Sequence, residues 1–217
     1  EIVNTILGPG EGQTFFAWLT ESPLVVQAGD TWRFRSVVQE HLTTAAQREM
    51  GVTWASVHRQ LYAMHQTRLE RWGSTPDYLD PAWWRQRREV LYHHLVVGDE
   101  VEATNAAMAG FLQGLRHWYP WAEEVVEVWQ EVAASVWSRH RVVAWSRRLA
   151  ELWSALQNEE WERALDACRT IEEDGRWTEP VRQALKGCRQ LIEARLALPL
   201  EPEDAPAEEM TEEPALS

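Results

Sequence analysis

From residue 53 onward, apolar side chains return every three or four positions, the spacing of one face of an α-helix. Trp54, Val57, Leu61 and Met64 begin the pattern, which stops near Trp72-Gly73, where glycine suits the position after a helix end. Asp80 and Pro81 form an N-cap and first-turn pair that predicts a helix over 81–97, carrying Trp83, Trp84, Val90, Leu91, Tyr92 and Leu95. Further helices are predicted over about 99–118, 121–137, 141–157, 159–173 and 179–198, with turns of only a few residues between them. In the 121–137 segment Trp121, Val125, Val128, Val132 and Val136 make an inward stripe, while Glu123, Glu124, Glu127 and Glu131 face water. In the 141–157 segment the stripe is Trp145, Leu149, Leu152 and Leu156.

The first fifty residues read differently. Ile2, Val3, Ile6 and Leu7 lie on one helical face that Gly8-Pro9-Gly10 is expected to break. A second helix over 11–22 carries Phe15, Phe16, Trp18 and Leu19 and ends at Ser22-Pro23, because a residue before proline avoids the helical region. Two short apolar runs, Leu24 to Val26 and Trp32 to Phe34, then flank Ala28-Gly29-Asp30-Thr31 and predict a β-hairpin. Ser36 as N-cap with Gln39 three residues on opens a helix over about 36–50. This hairpin feeding a helix reads as the wing of a winged helix. The expected organisation is mainly α: residues 1–50 as the C-terminal part of a winged-helix domain, 52–198 as an antiparallel helix array, and 199–217 as a disordered acidic tail rich in proline.

Regular helices joined by tight turns are the mark of helical repeats, in which each pair buries its face on the next. Leu152, Trp153 and Leu156, the turn over 157–160, then Trp161, Ala164, Leu165, Ala167 and Cys168 resemble the core of a tetratricopeptide repeat. The chain holds fourteen tryptophans, most at helix-compatible spacing within apolar faces, and packing between helices is their expected place. Trp118, Trp121, Trp137 and Trp177 sit at helix ends and are the candidates for a concave surface that grips a protein partner or a small inducer.

Composition adds exclusions. Net charge is −13, and residues 201–217 hold seven acids and no base; the remainder carries 21 basic against 27 acidic side chains, a net of −6. Such a body has no bulk attraction for nucleic acid or an anionic membrane. The helix over 11–22 lacks Arg and Lys, which argues against groove reading by the winged helix. No segment approaches the length of an apolar membrane span, and the first residues lack a signal-peptide pattern, so the expected location is the cytoplasm. The first residue is Glu1 rather than Met, which suggests an excerpt of something longer. Cys168 and Cys188 fit no metal or redox spacing and read as free thiols on helices.

Candidate chemistry is sparse. Gly8-Pro9-Gly10-Glu11-Gly12 lacks the lysine of a phosphate-binding loop. His93 and His94 follow Glu89, but a four-residue spacing is not that of a di-iron motif, and adjacent helical residues point about 100° apart, so one ring is expected packed and the other solvated. His58 and His65 share a face two turns apart with no third ligand in view. The Arg85 to Arg88, Arg139 to Arg141 and Arg147-Arg148 clusters are expected to pair with neighbouring carboxylates. No catalytic residue and no metal site emerge, and an enzyme is not expected.

At Asp30 to Leu42 the chain resembles the end of the winged-helix domain in signal-transduction NTPases with numerous domains, the group of NB-ARC-like switch ATPases. There a strand is followed by a Met-His-Asp-Leu-Val-Arg pattern, whose place here is taken by Phe34-Arg35-Ser36-Val37-Val38-Gln39. Phe16 to Val25 is similar to the family's helix running into the first wing strand, and the segments around His58 and around His93-His94 resemble the helices that begin its repeat region. The resemblance implies a nucleotide-binding domain ahead of the winged helix, then a repeat domain that senses a partner or inducer. It implies that Arg35 stands where a histidine contacts the ADP phosphates, with Ser36 in place of the aspartate. ATP or ADP would then enter only through that preceding domain, and no cofactor belongs to this chain. The alternative is a free-standing tetratricopeptide-like scaffold with no nucleotide link. On the first reading, isothermal calorimetry of the isolated chain with ATP is expected to show no tight binding, and a tight isotherm would contradict it.

Overall fold

A computed structural model describes residues 9–28, 31–34, 52–73, 80–135, 139–173 and 176–198. Helix α1 spans Pro9–Glu21, strands β1 Val25–Ala28 and β2 Thr31–Phe34 follow, and helix α2 spans Val52–Glu70. Then come α3 Pro81–Val97, α4 Glu100–His117, α5 Tyr119–Ser135, α6 His140–Gln157, α7 Trp161–Glu172 and α8 Glu179–Ala197. The chain is mainly α-helical, as its periodicity predicts, and no described helix is long and apolar enough to cross a membrane.

The two strands pair antiparallel with Val25 opposite Phe34 and Ala28 opposite Thr31, the hairpin expected from the Gly29-Asp30 turn. Val25 is buried against this unit, as is Leu19 of α1. Pro9 opens α1 and Gly10 continues it, so this helix starts two residues before the expected position 11. Proline is tolerated at a helix start, where its missing N–H would have no partner anyway. The helices expected near residues 2–7 and 36–50, the pair Arg35 and Ser36, and the acidic tail over 199–217 lie outside the described residues.

The array from α2 to α8 is built by nearest and next-nearest packing: α2 on α3, α3 on α4 and α5, α4 on α5 and α6, α5 on α6, α6 on α7, and α7 on α8. That is the contact pattern of stacked helical repeats. One contact departs from a plain stack, because α8 also packs back on α4. A continuous apolar core runs from Leu91 and Leu95 on α3 through Met108 and Phe111, Val125 and Trp129, Leu149 and Leu152, to Ile171, Leu185 and Ile192. A smaller core of Leu69, Trp83 and Val90 joins α2 to α3.

Helix starts follow their capping residues. The Asp80 carboxylate accepts from the Ala82 amide at 2.8 Å and from the Trp72 indole at 2.9 Å, so one side chain caps α3 and ties it to the end of α2. Asp99 accepts from the Val101 and Glu102 amides at 3.0 Å each and caps α4. Between α6 and α7, Glu159 takes φ 56°, the left-handed conformation that lets the chain reverse within the predicted turn.

Two polar side chains lock distant segments together. Asn105 of α4 donates to the Arg176 carbonyl at 3.2 Å and accepts from the Thr178 amide at 2.7 Å, fixing the approach to α8 from 71 to 73 residues away. Arg139 donates to the carbonyls of Val96 at 3.1 Å and Gly98 at 2.6 Å, satisfying the end of α3 with the residue that precedes α6. The α4 to α5 turn is equally tight: a Cβ built on Gly114 would stand 2.5 Å from the Ala122 backbone nitrogen. Backbone cannot move aside as a side-chain tip can, so Gly114→Ala is expected to cost on the order of 2–3 kcal/mol in chemical denaturation. Gly187→Ala, with nothing near its added Cβ, is expected to leave stability unchanged or raised.

Candidate functional site

Because α8 folds back on α4, the helices α4, α6, α7 and α8 enclose an open groove with a cavity of about 720 Å³. Its walls are apolar: Leu112 and Leu115 from α4, Leu156 from α6, Trp161 from α7, and Leu191 and Ile192 from α8. Val181, Leu185 and Ile192 form the buried stripe of α8, whereas Leu191 lies beside it and leaves 75% of its surface open. Tyr119 at the start of α5 joins the wall, half open, with its ring 4.6 Å from that of Trp153.

Two guanidinium groups also border this apolar space, those of Arg116 and Arg195. Arg195 lies over the Trp161 ring at 5.7 Å, so the cation sits on an aromatic face of the same groove. Cys188 lines the groove and Cys168 lies buried behind it, its thiol directed at the Leu185 carbonyl 3.8 Å away. The Cys188 hydrogen bond and burial push the Cys168 thiol well above its ordinary range, which keeps it protonated and unreactive. The lining thus joins apolar walls to two cations.

A second cluster lies between α2 and α3. His58 and His65 stand two turns apart on α2, and Gln86, Glu89 and His93 face them from α3. His58 Nδ1 and His93 Nδ1 are 2.9 Å apart, so one ring donates and the other accepts. His65 Nδ1 lies 2.7 Å from Gln86 Oε1 and donates to it, because an amide oxygen only accepts. The ring of His65 stacks on that of His93 at 5.7 Å, and His93 Nε2 is 3.7 Å from a Glu89 carboxylate oxygen. His58, His65 and His93 are each at most 5% exposed.

Burial drives the His58 and His93 rings to their neutral form. His58 is lowered to about 4 by desolvation, and His93 to about 3 by desolvation together with the neighbouring rings of His58 and His65. His94 points the other way, as the helical geometry requires, but it is not solvated: its ring is half-buried, 5.1 Å from that of Tyr62 and packed against Gly98. The expectation of one packed and one solvated histidine is therefore corrected for His94. The turn after α3 folds over it.

Of the four tryptophans proposed as surface anchors, Trp121 and Trp177 are only 2% exposed and cannot meet a partner in this fold. Trp121 lies against Trp83 at 6.4 Å; Trp177 meets Trp145 edge-on at 4.8 Å and donates its indole N–H to the Ile171 carbonyl at 2.6 Å. Trp118 is half-buried and edge-on to Trp84 at 4.3 Å. Trp137, like Arg35 and Ser36, lies outside the described residues. A large ring at a helix end is where the next helix docks, which is why these positions became core. The groove residues Leu191, Tyr119, Arg116 and Arg195 were missed, although a leucine displaced from the stripe of its own helix was a usable signal.

The arginine clusters divide. Arg88 pairs with Glu131 at 2.7 Å and with Glu124, both on α5, while Arg139 serves the α3 end and Arg148 lies over Trp145 at 4.7 Å. Comparison with protein-family models, with curated proteins and with solved structures finds no match to this chain.

The neutral histidines set a pH dependence. Between the ordinary value of 6.5 and the lowered values of about 4 and 3, His58 and His93 bind protons in the unfolded chain and not in the folded one. Their contribution is therefore fully present above pH 6.5 and lost as pH falls through that window. In chelator-treated protein, thermal unfolding is expected to show a loss on the order of 3–5 kcal/mol per ring by the bottom of the window, and His58→Leu is expected to flatten the slope.

Proposed function

We propose that this chain is the ligand-receiving helical array of a multi-part switch protein, and that the groove between α4, α6, α7 and α8 takes a small molecule with an apolar body and an anionic group. The single observation that carries this reading is the groove itself. Its volume of about 720 Å³ lies in the range of small-molecule sites, and its lining joins leucine and tryptophan surface to the cations of Arg116 and Arg195. Guanidinium groups recognise carboxylate or phosphate, and in a chain of net charge −13 they are the local exception that would orient such a ligand. The groove is also bounded by four helices from different parts of the array, so a ligand there would fix how α8 sits on α4.

The switch part of the proposal rests on the resemblance of the hairpin region to signal-transduction NTPases with numerous domains. On this reading residues 1–50 relay the nucleotide state of a preceding ATP-binding domain, with Arg35 at the phosphate-sensing place. The exposure of Trp18 at 57%, with Phe15, Leu24 and Val26 also open, fits a hairpin unit that such a domain covers.

The anionic fluorophore 8-anilinonaphthalene-1-sulfonate tests the groove. Titrated into the purified chain, it is expected to bind with a gain in fluorescence. Leu191→Glu, a change at an open position, is expected to weaken binding by about tenfold or more, the effect of losing one leucine contact and adding a repelling charge. Arg116→Glu combined with Arg195→Glu is expected to do the same. Binding that is equally strong in both variants would remove the groove as the receiving site.

A further inference from the structure

We propose that His65, Glu89 and His93 bind a divalent transition-metal ion, zinc first, and that this ion clips α2 onto the rest of the array. One ligand atom from each of the three residues lies within 4.8 Å of the others, and two of the three residues are buried. Ligand atoms on a tetrahedral zinc, each about 2.0–2.2 Å from the ion, stand roughly 3.4 Å apart, so closure by at most about 1.4 Å completes the site. His93 Nε2 and the Glu89 carboxylate, at 3.7 Å, are nearly there already.

The second nitrogen of each ring is already held in the way a metal ligand needs. His65 gives its Nδ1 proton to Gln86 Oε1 at 2.7 Å, which leaves the Nε2 lone pair as its free donor. That Nε2 is buried and has no hydrogen-bond partner, in a residue only 2% exposed. An unpaired buried acceptor costs about 1–3 kcal/mol, so packing alone gives no reason for it. His93 can in turn place its proton on Nδ1 and donate to His58 Nδ1 at 2.9 Å, turning its own Nε2 toward Glu89. Gln86 and His58 are thus the outer partners that set the tautomer and ring orientation of the two ligand histidines.

The donor set selects the ion. Two imidazoles and one carboxylate suit zinc and its late first-row neighbours, whereas magnesium and calcium prefer oxygen throughout. Glu89 is half-exposed at the edge of the cluster, which gives the ion a way in and leaves a fourth position for water. The mechanical consequence follows from how α2 is attached. Its apolar cluster with α3 is small, Leu69, Trp83 and Val90 among the described residues, so a bond from His65 across to Glu89 and His93 would tie down the helix that follows the hairpin unit. The inference does not depend on the ligand groove.

Zinc sulfate titrated calorimetrically into chelator-stripped full chain is expected to bind at one ion per chain and to raise the unfolding temperature. Cobalt(II) in its place is expected to give visible ligand-field bands. Glu89→Gln and His65→Gln are each expected to weaken zinc binding by at least tenfold and abolish the thermal shift, and Gln86→Leu to weaken it about tenfold. His140→Gln, at an exposed histidine elsewhere on the array, is expected to leave uptake unchanged. If His65→Gln fails to fold, Glu89→Gln, at a partly open position, decides. Absence of zinc binding in the unmodified chain, or binding undiminished by Glu89→Gln, would overturn the proposal.

Discussion

Packing of tryptophan rings between helices, with the N–H groups of Trp72, Trp129 and Trp177 each given an oxygen, is the constraint on which this structure rests. An indole offers the largest apolar area of any side chain and one donor that water must not be left to satisfy. Trp129, at the centre of the core, gives its N–H to the Val142 carbonyl at 2.9 Å and so fixes α5 against α6. Trp177 does the same with the Ile171 carbonyl and fixes the end of α7 relative to the start of α8. Trp72 gives its N–H to the carboxylate that caps α3. Each ring holds two elements at once: by area in every direction, and by a hydrogen bond in one.

The groove follows from that arrangement. Trp177 and Asn105 together hold the entrance of α8, which packs on both α7 and α4 with its own stripe of Val181, Leu185 and Ile192 buried. Leu191 is left beside the stripe, facing open space. The same packing brings Arg116 from α4 and Arg195 from α8 to one cavity, although they are far apart along the chain.

At the other end of the array the dominant force changes. Between α2 and α3 only a small apolar core forms, and much of the remaining contact is polar: three buried histidines, a glutamine and a glutamate. Burial keeps the His58 and His93 rings uncharged at neutral pH, and the pairing of His58 with His93 and of His65 with Gln86 fixes how the rings face one another. The groove recognises by area and two cations, the histidine cluster by a few lone pairs in fixed directions. They are separate sites of different chemistry on one scaffold.

The helices and the hairpin were legible in the sequence because both depend on local rules: a three-to-four residue recurrence of Leu, Val and Trp, the Asp80-Pro81 start, and a Gly-Asp turn between β-branched and aromatic runs. Local rules also placed most tryptophans in the core. They could not decide which end-of-helix tryptophans stay open, because Trp121 and Trp177 are covered by helices that arrive from elsewhere. They could not find a third group for His58 and His65, since His93 and Glu89 come from the next helix and only the antiparallel pairing of α2 with α3 sets them face to face. Spacing along a chain fixes which side chains share a face; which faces meet is decided by the packing of whole helices, and both candidate sites lie where two or more of those faces come together.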